Sequence, residues 1–148
     1  MQIQVQINTQ SLQLFSASGT MLFSVPISTS KFGVGQRPGS QCTPTGRFIV
    51  AEKHGDKAPL GEIFVSRKPT GKFGSGSDPD DHVQTRILWL HGTDPENANT
   101  KSRYIYLHGT NQEHLLGTPA SHGCIRLSNR DMVRLFDLVQ EGTEVVIS

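Results

Sequence analysis

A chain of 148 residues with a formal net charge of +1 has the length of one domain, and no charge excess draws it to nucleic acid or an anionic membrane surface. Its apolar fraction of 34% and charged fraction of 18% fit an ordinary globular protein, and no apolar run approaches the ~18 residues of a membrane-spanning helix. The 15 glycines and 8 prolines point to many turns and short strands.

Met1 to Ile7 alternates apolar and polar residues, which predicts a half-buried strand. The same stretch lacks the basic start and continuous apolar core of a secretory signal. Taken as the native start, it predicts a cytoplasmic protein; with a leader removed, the expected place becomes the periplasm or the cell wall. Leu12 to Phe15 reads as a second strand, Ser16 to Thr20 as a turn, and Met21 to Ser28 as a third strand with Pro26 at an edge or bulge. Ser30 to Ser40 is loop, Thr43 to Val50 runs from a turn into a strand, and Ile63 to Val65 is a further short strand. Ser66 to Arg86 is polar and irregular; a loop of that length suggests a surface flap near a functional site. Ile87 to Leu90 reads as a buried strand, and Tyr104 to Leu107 as another that delivers His108 at its end. Ser128 is a good N-cap, Asp131 lies three residues on, and Met132, Leu135, Phe136 and Val139 follow at helical spacing until Gly142. Thr143 to Ile147 closes the chain as a strand. The sum predicts a mainly β domain over residues 1–148, with two packed sheets and one principal α-helix near the C-terminus.

The chemistry concentrates in Ser121-His122-Gly123-Cys124-Ile125-Arg126. Cysteine catalysis needs a thiolate, a base to hold the proton, and N–H donors for an oxyanion. A neighbouring imidazole can lower a thiol well below its free value of ~8.5, and Gly123 permits a turn tight enough to aim consecutive N–H groups at one charge. A second histidine, His108, stands upstream in Tyr106-Leu107-His108-Gly109-Thr110. The chain has two cysteines, Cys42 and Cys124. They could form a disulfide or two inert thiols; a reducing compartment favours free thiols. His108, His122 and Cys124 could hold zinc with an open fourth position, but no carboxylate or further cysteine stands at ligand spacing, so no metal and no cofactor is expected.

The two-part pattern, His108-Gly109-Thr110 followed by Leu116-Gly117-Thr118-Pro119-Ala120 and Ser121 to Arg126, resembles the catalytic domain of the L,D-transpeptidase (YkuD-like) family. Thr43-Pro44-Thr45-Gly46 is similar to a second feature of that family. The resemblance implies a β-sandwich with one principal helix. It implies Cys124 as nucleophile, His108 as base, the Gly109 main chain as orienter of the imidazole, and the N–H groups of Gly123 and Cys124 as oxyanion hole. His122, Arg126 and Ser121 form the expected substrate side. Arg126 would grip a substrate carboxylate or else form a structural salt bridge, with Asp131 as candidate partner; Ser121 and Thr110 would also fix the loop. His91 is expected to be structural or near the rim, Cys42 near the site, and His54, His82 and His114 on the surface.

The family acts on peptidoglycan stem peptides. Its thiolate attacks the carbonyl of the third residue, an L-centre such as diaminopimelate, and expels D-alanine. An amine acceptor then gives a cross-link or D-amino-acid exchange, and water gives L,D-carboxypeptidase activity. The leaderless start places hydrolysis of soluble muropeptides during wall recycling slightly ahead of transpeptidation. A muropeptide-binding module without turnover is the alternative of another class. The resemblance also implies covalent adducts of Cys124 with carbapenem-type lactams.

Overall fold

The structure is a computed structural model that describes residues 1–148. Its strands are β1 (Gln2–Gln6), β2 (Ser11–Phe15), β3 (Met21–Pro26), β4 (Gly46–His54) and β5 (Glu62–Val65), then β6 (Lys68–Phe73), β7 (Val83–Gly92), β8 (Tyr106–Gly109), β9 (Ile125–Leu127) and β10 (Glu144–Ile147). The one α-helix, α1, spans Asn129–Leu138. The mainly β character and the C-terminal helix agree with the sequence pattern. Period-two alternation puts Ile3, Val5, Leu12 and Leu14 inside, while the intervening glutamines and serine stay partly exposed.

The strands belong to one hydrogen-bonded sheet of 10 strands rather than two separate ones, in the order β3-β2-β1-β10-β4-β7-β5-β6, with β8 also on β7 and β9 on β8. The sheet folds back on itself. Ser28, just past β3, donates to the Arg126 carbonyl at 2.9 Å and accepts from the Arg126 N–H at 3.0 Å, so the far strand β9 meets the near end of the chain. The enclosed core holds 21 buried residues drawn from both ends of the sheet and from α1.

Helix α1 is fixed at both ends. The Ser128 hydroxyl accepts from the Asp131 N–H at 3.1 Å, a cap typically worth ~1 kcal/mol. At the other end Lys53 Nζ donates to the carbonyls of Phe136 and Val139, each at 2.7 Å, which satisfies groups the helix leaves orphaned. The helix packs on β7 and β8 and so steadies the strand that carries His108.

Two elements differ from the sequence expectation. The presumed loop Ser66 to Arg86 contains β6 and the start of β7, leaving residues 74–82 irregular. Every residue of β6 is exposed, so it shows no alternation and rests on pairing with β5 alone. Asn111 holds the remaining loop, donating to the carbonyls of Ser75, Asp78 and Asp80 and accepting from the His82 N–H. Tyr104 lies outside β8, in a left-handed conformation at φ 58°. No helix is long and apolar enough to cross a membrane.

Gly46 shows what close approach demands. Its φ is +112°, and a Cβ there would lie 2.5 Å from Asp94 Oδ2 and 2.8 Å from Asn97 Nδ2, the groups that cap the Arg47 N–H and the Thr45 and Arg47 carbonyls. Gly117 also has a positive φ, +93°, but nothing lies within 4 Å of its would-be Cβ. Urea unfolding is expected to show a loss of about 2–4 kcal/mol for Gly46→Ala and about 1 kcal/mol for Gly117→Ala. Equal losses would contradict the packing argument.

Candidate active site

Ser121 to Cys124 form a turn tied down from several directions. Ser121 is buried; its N–H donates to the Thr29 carbonyl at 2.8 Å, and its hydroxyl donates to the Cys124 carbonyl at 2.7 Å. That hydroxyl also accepts from the Gly123 N–H at 3.3 Å. Its side chain is thus engaged inside the turn, which matches the loop-fixing expectation rather than a hydroxyl facing substrate. Gly123 has φ +127°, and a Cβ on it would press on the Cys42 carbonyl and Ile105 at 3.4 Å. Its own carbonyl accepts from Thr43 Oγ1 at 3.0 Å, so the Thr43-Pro44-Thr45-Gly46 segment buttresses the turn from below. The Gly123 N–H is occupied by Ser121, whereas the Cys124 N–H has no acceptor within the protein. The Cys124 amide is therefore the free donor beside the sulfur.

The Cys124 thiol donates to the Tyr104 carbonyl at 3.5 Å and accepts from the Tyr106 N–H at 3.4 Å. The left-handed backbone of Tyr104 is what turns that carbonyl toward the sulfur. Burial pushes the thiol up to about 11, against the Tyr106 N–H and the guanidinium groups of Arg126 and Arg103, which pull it down; Asp81 adds to the rise.

His108 sits buried in β8, paired with Ile87 on one side and Arg126 on the other. Its Nδ1 lies 2.6 Å from the Gly109 carbonyl. A carbonyl only accepts, so Nδ1 carries the proton and Nε2 keeps a lone pair. Burial holds this imidazole below its ordinary value, although the Gly109 carbonyl and Asp81 work to raise it. Gly109 must be glycine here, because a Cβ would lie 2.4 Å from Asn129 Oδ1 and 2.9 Å from the Gln84 carbonyl.

Burial thus disfavours the charged form of both the thiol and the imidazole. The lowering of the thiol that a neighbouring imidazole could bring is opposed here by burial. An adjacent imidazole lowers a thiol only when it is charged, and both groups here are desolvated. They open onto one cavity of about 430 Å³, lined by Asp80, Asp81, Val83, His108, His122 and Cys124.

Arg126 departs from the expected substrate clamp. Its side chain is 0% exposed; Nη1 donates to Asp81 Oδ1 at 2.9 Å and Gln112 Oε1 at 2.7 Å, and Nη2 donates to Ser28 Oγ at 3.0 Å. The salt-bridge partner is Asp81, not Asp131, whose N–H serves the helix cap. His122 is half-exposed at the cavity rim, its Nδ1 3.7 Å from Asp81 Oδ2 and its ring beside Phe32. Asp81 thus joins Arg126 to His122 within the cavity wall. Sequence reasoning missed it; the only signal was the acidic run Asp78-Pro79-Asp80-Asp81 inside the presumed flap, whose end does border the site.

Cys42 and Cys124 are both free. Cys42 lies close by: its carbonyl contacts the Gly123 position and accepts from Arg103 Nη2 at 2.7 Å. Thr110 is buried and its hydroxyl accepts from the Gln112 N–H. His91 is exposed on β7, in a shallow cavity shared with Trp89 and Tyr104. His114 is exposed, while His54 and His82 are half-buried and pair with Glu52 and Asp78.

Residues 1–147 match the family described as YkuD, the L,D-transpeptidase catalytic domain. YqjB of Bacillus subtilis, itself assigned as an L,D-transpeptidase, is 33% identical over 105 residues, covering 68% of this chain and 57% of its own length. An L,D-transpeptidase from Mycobacterium smegmatis superposes with a TM-score of 0.62 at 20% identity, over 99% of this chain and 58% of the other. L,D-transpeptidase 3 from Mycobacterium tuberculosis, solved with a faropenem-derived adduct, gives 0.64 at 20% identity, over 99% and 59%. The chain thus spans somewhat over half the length of these relatives, and the structural likeness is one of fold. With the family matched from end to end and the sheet shared, the chain belongs to the L,D-transpeptidase catalytic domain family.

Proposed function

We propose that residues 1–148 act as one catalytic unit, a cysteine acyl-enzyme that works on peptidoglycan stem peptides. One observation carries the reading: the His108 imidazole, its Nδ1 set against the Gly109 carbonyl, opens onto the same cavity as the Cys124 thiol. Cys124 Sγ attacks the carbonyl of the third stem residue as its proton passes to His108 Nε2. Because both groups start neutral, proton transfer accompanies attack instead of preceding it. The Cys124 N–H meets the developing oxyanion, and the Gly123 N–H joins it by giving up its long bond to Ser121. Collapse breaks the C–N bond and hands the His108 proton to the departing D-alanine amine. A thioester remains on Cys124.

Transfer of that acyl group to an amine, the reaction the family is named for, is the outcome we favour. Asp80 stands at the cavity rim with no cationic partner, a place for the ammonium of an incoming acceptor. Hydrolysis is the second reading. The sequence-based order ran the other way because it leaned on the start of the chain. Arg126 positions rather than binds: it fixes Asp81, which holds His122 at the rim. A lactam ring offers the same sulfur a strained carbonyl, so carbapenem-type compounds should acylate Cys124.

Mass spectrometry of a defined tetrapeptide incubated with an amine acceptor should reveal cross-linked or exchanged products, and Cys124→Ala should yield none. Tripeptide alone would shift the reading to a carboxypeptidase, and equal turnover by Cys124→Ala would sink the acyl-enzyme. His108→Ala should lower kcat/KM by about 10²–10⁴. A carbapenem should add one mass equivalent to the wild type and nothing to Cys124→Ala.

The pH profile follows from the buried pair. His108 works only when neutral, and burial lowers its value from 6.5, so activity should persist as pH falls through 6.5 and be lost only further down, as pH passes through the lowered value. A rate that keeps climbing through pH ~8–9, as for a free titrating thiol, would contradict this.

A further inference from the structure

Arg126 is buried and its terminal nitrogens are turned to Asp81, Gln112 and Ser28, so it is not the group that meets an incoming anionic peptide. A different guanidinium stands on the open side. Ser66 and Arg67 are the two central residues of the β5–β6 hairpin turn, and both are left-handed, at φ 49° and 65°. Such turns ordinarily take glycine or asparagine, and side-chain-bearing residues there are strained. Strain of this kind persists where the surroundings over-determine it, and it concentrates at functional sites.

The strained tip lays Arg67 Cζ 4.5 Å from the Trp89 ring centroid and 5.4 Å from that of Tyr104. Arg67 Nη1 donates to the Tyr106 hydroxyl at 3.0 Å. A guanidinium has five N–H donors, and this is the only side-chain or backbone acceptor that Arg67 meets. It has no carboxylate partner: the nearby Glu52 is taken by Lys101 at 2.7 Å and His54 at 3.1 Å. The Tyr106 phenol accepts from Arg67 and has its own proton free to donate, since burial pushes it up and keeps it protonated.

The backbone of Tyr104 and Tyr106 ties this cluster to the sulfur. The Tyr106 N–H donates to Cys124 Sγ, the Tyr104 carbonyl accepts from it, and Trp89 packs on the same small apolar cluster as Cys124. We propose that Arg67 and the Tyr106 hydroxyl, laid against Trp89 and Tyr104, form an anion subsite that takes a carboxylate of the donor peptide beside the carbonyl that Cys124 attacks. This rests on the acyl-enzyme reading above. Two carboxylates have the right chemistry: the C-terminal one of the leaving residue and one on the side chain of the third residue.

The test compares three tetrapeptides: one with both carboxylates free, one amidated at the C-terminus, and one amidated on the third side chain. Each is assayed with wild type, Arg67→Gly and Arg67→Lys. Glycine suits the left-handed backbone while removing the cation. Wild type should lose about 10- to 100-fold in kcat/KM on one amidated peptide, and which one names the carboxylate. Arg67→Gly should abolish that preference, chiefly through KM, and Arg67→Lys should keep part of it. Alkylation of Cys124 by neutral iodoacetamide should run at the same rate in wild type and Arg67→Gly. Indifference of wild type to both amidations, or an equal loss on all three peptides in Arg67→Gly, overturns the subsite while leaving the acyl-enzyme standing. No turnover of any peptide by wild type overturns both readings together.

Discussion

The short bond between His108 Nδ1 and the carbonyl of the next residue decides what this site can be. It fixes the tautomer, leaves Nε2 as the one basic position, and holds the ring in the cavity wall. That bond needs the backbone to turn immediately after His108 with nothing in the way. Gly109 lies so close to Asn129 and to the Gln84 carbonyl that any side chain would push β8 away from β7 or from α1. Asn129 in turn is the first residue of α1, placed by the Ser128 cap and held by a 2.7 Å bond from Thr85 Oγ1. The helix, the sheet and the imidazole are thus one packing problem, and the imidazole is oriented by the same contacts that close the core.

The second constraint is electrostatic. Arg126 is a fully buried cation in the strand that follows Cys124. Removing such a charge from water costs far more than one contact returns, unless its hydrogen bonds are met. Asp81, Gln112 and Ser28 meet most of them, leaving only Nε without a partner. The arrangement draws the 74–82 loop, through Asp81, into the wall of the cavity. It also sets a mixed field on the thiol, with Arg126 and Arg103 favouring the thiolate and Asp81 opposing it. Desolvation outweighs them all and pushes the thiol up.

How much of this was legible from the residues follows from whether the signal is local. Alternation in Met1 to Ile7 and Leu12 to Phe15, and the cap and spacing of Ser128 to Val139, are local and led to the right elements. The Thr43-Pro44-Thr45-Gly46 feature was visible, but its job, a threonine bond to the Gly123 carbonyl across 80 residues, was not. Strand β6 left no trace because none of its residues is buried. Asp81 and Arg67 looked like ordinary loop charges, since their partners lie far away along the chain. The thiol's state could not be inferred from the motif, because burial of both partners is a property of the folded sheet.

The central claim is that the uncharged pair, with the imidazole proton on Nδ1, is the resting form. Nitrogen-15 NMR of the histidine side chains, combined with thiolate ultraviolet absorbance of wild type against Cys124→Ala, reads it directly. At about pH 8, where a free thiol is already partly ionised, the account predicts a neutral Nδ1–H tautomer for His108 and no thiolate signal assignable to Cys124. An imidazolium at His108 together with a thiolate at Cys124 would contradict it.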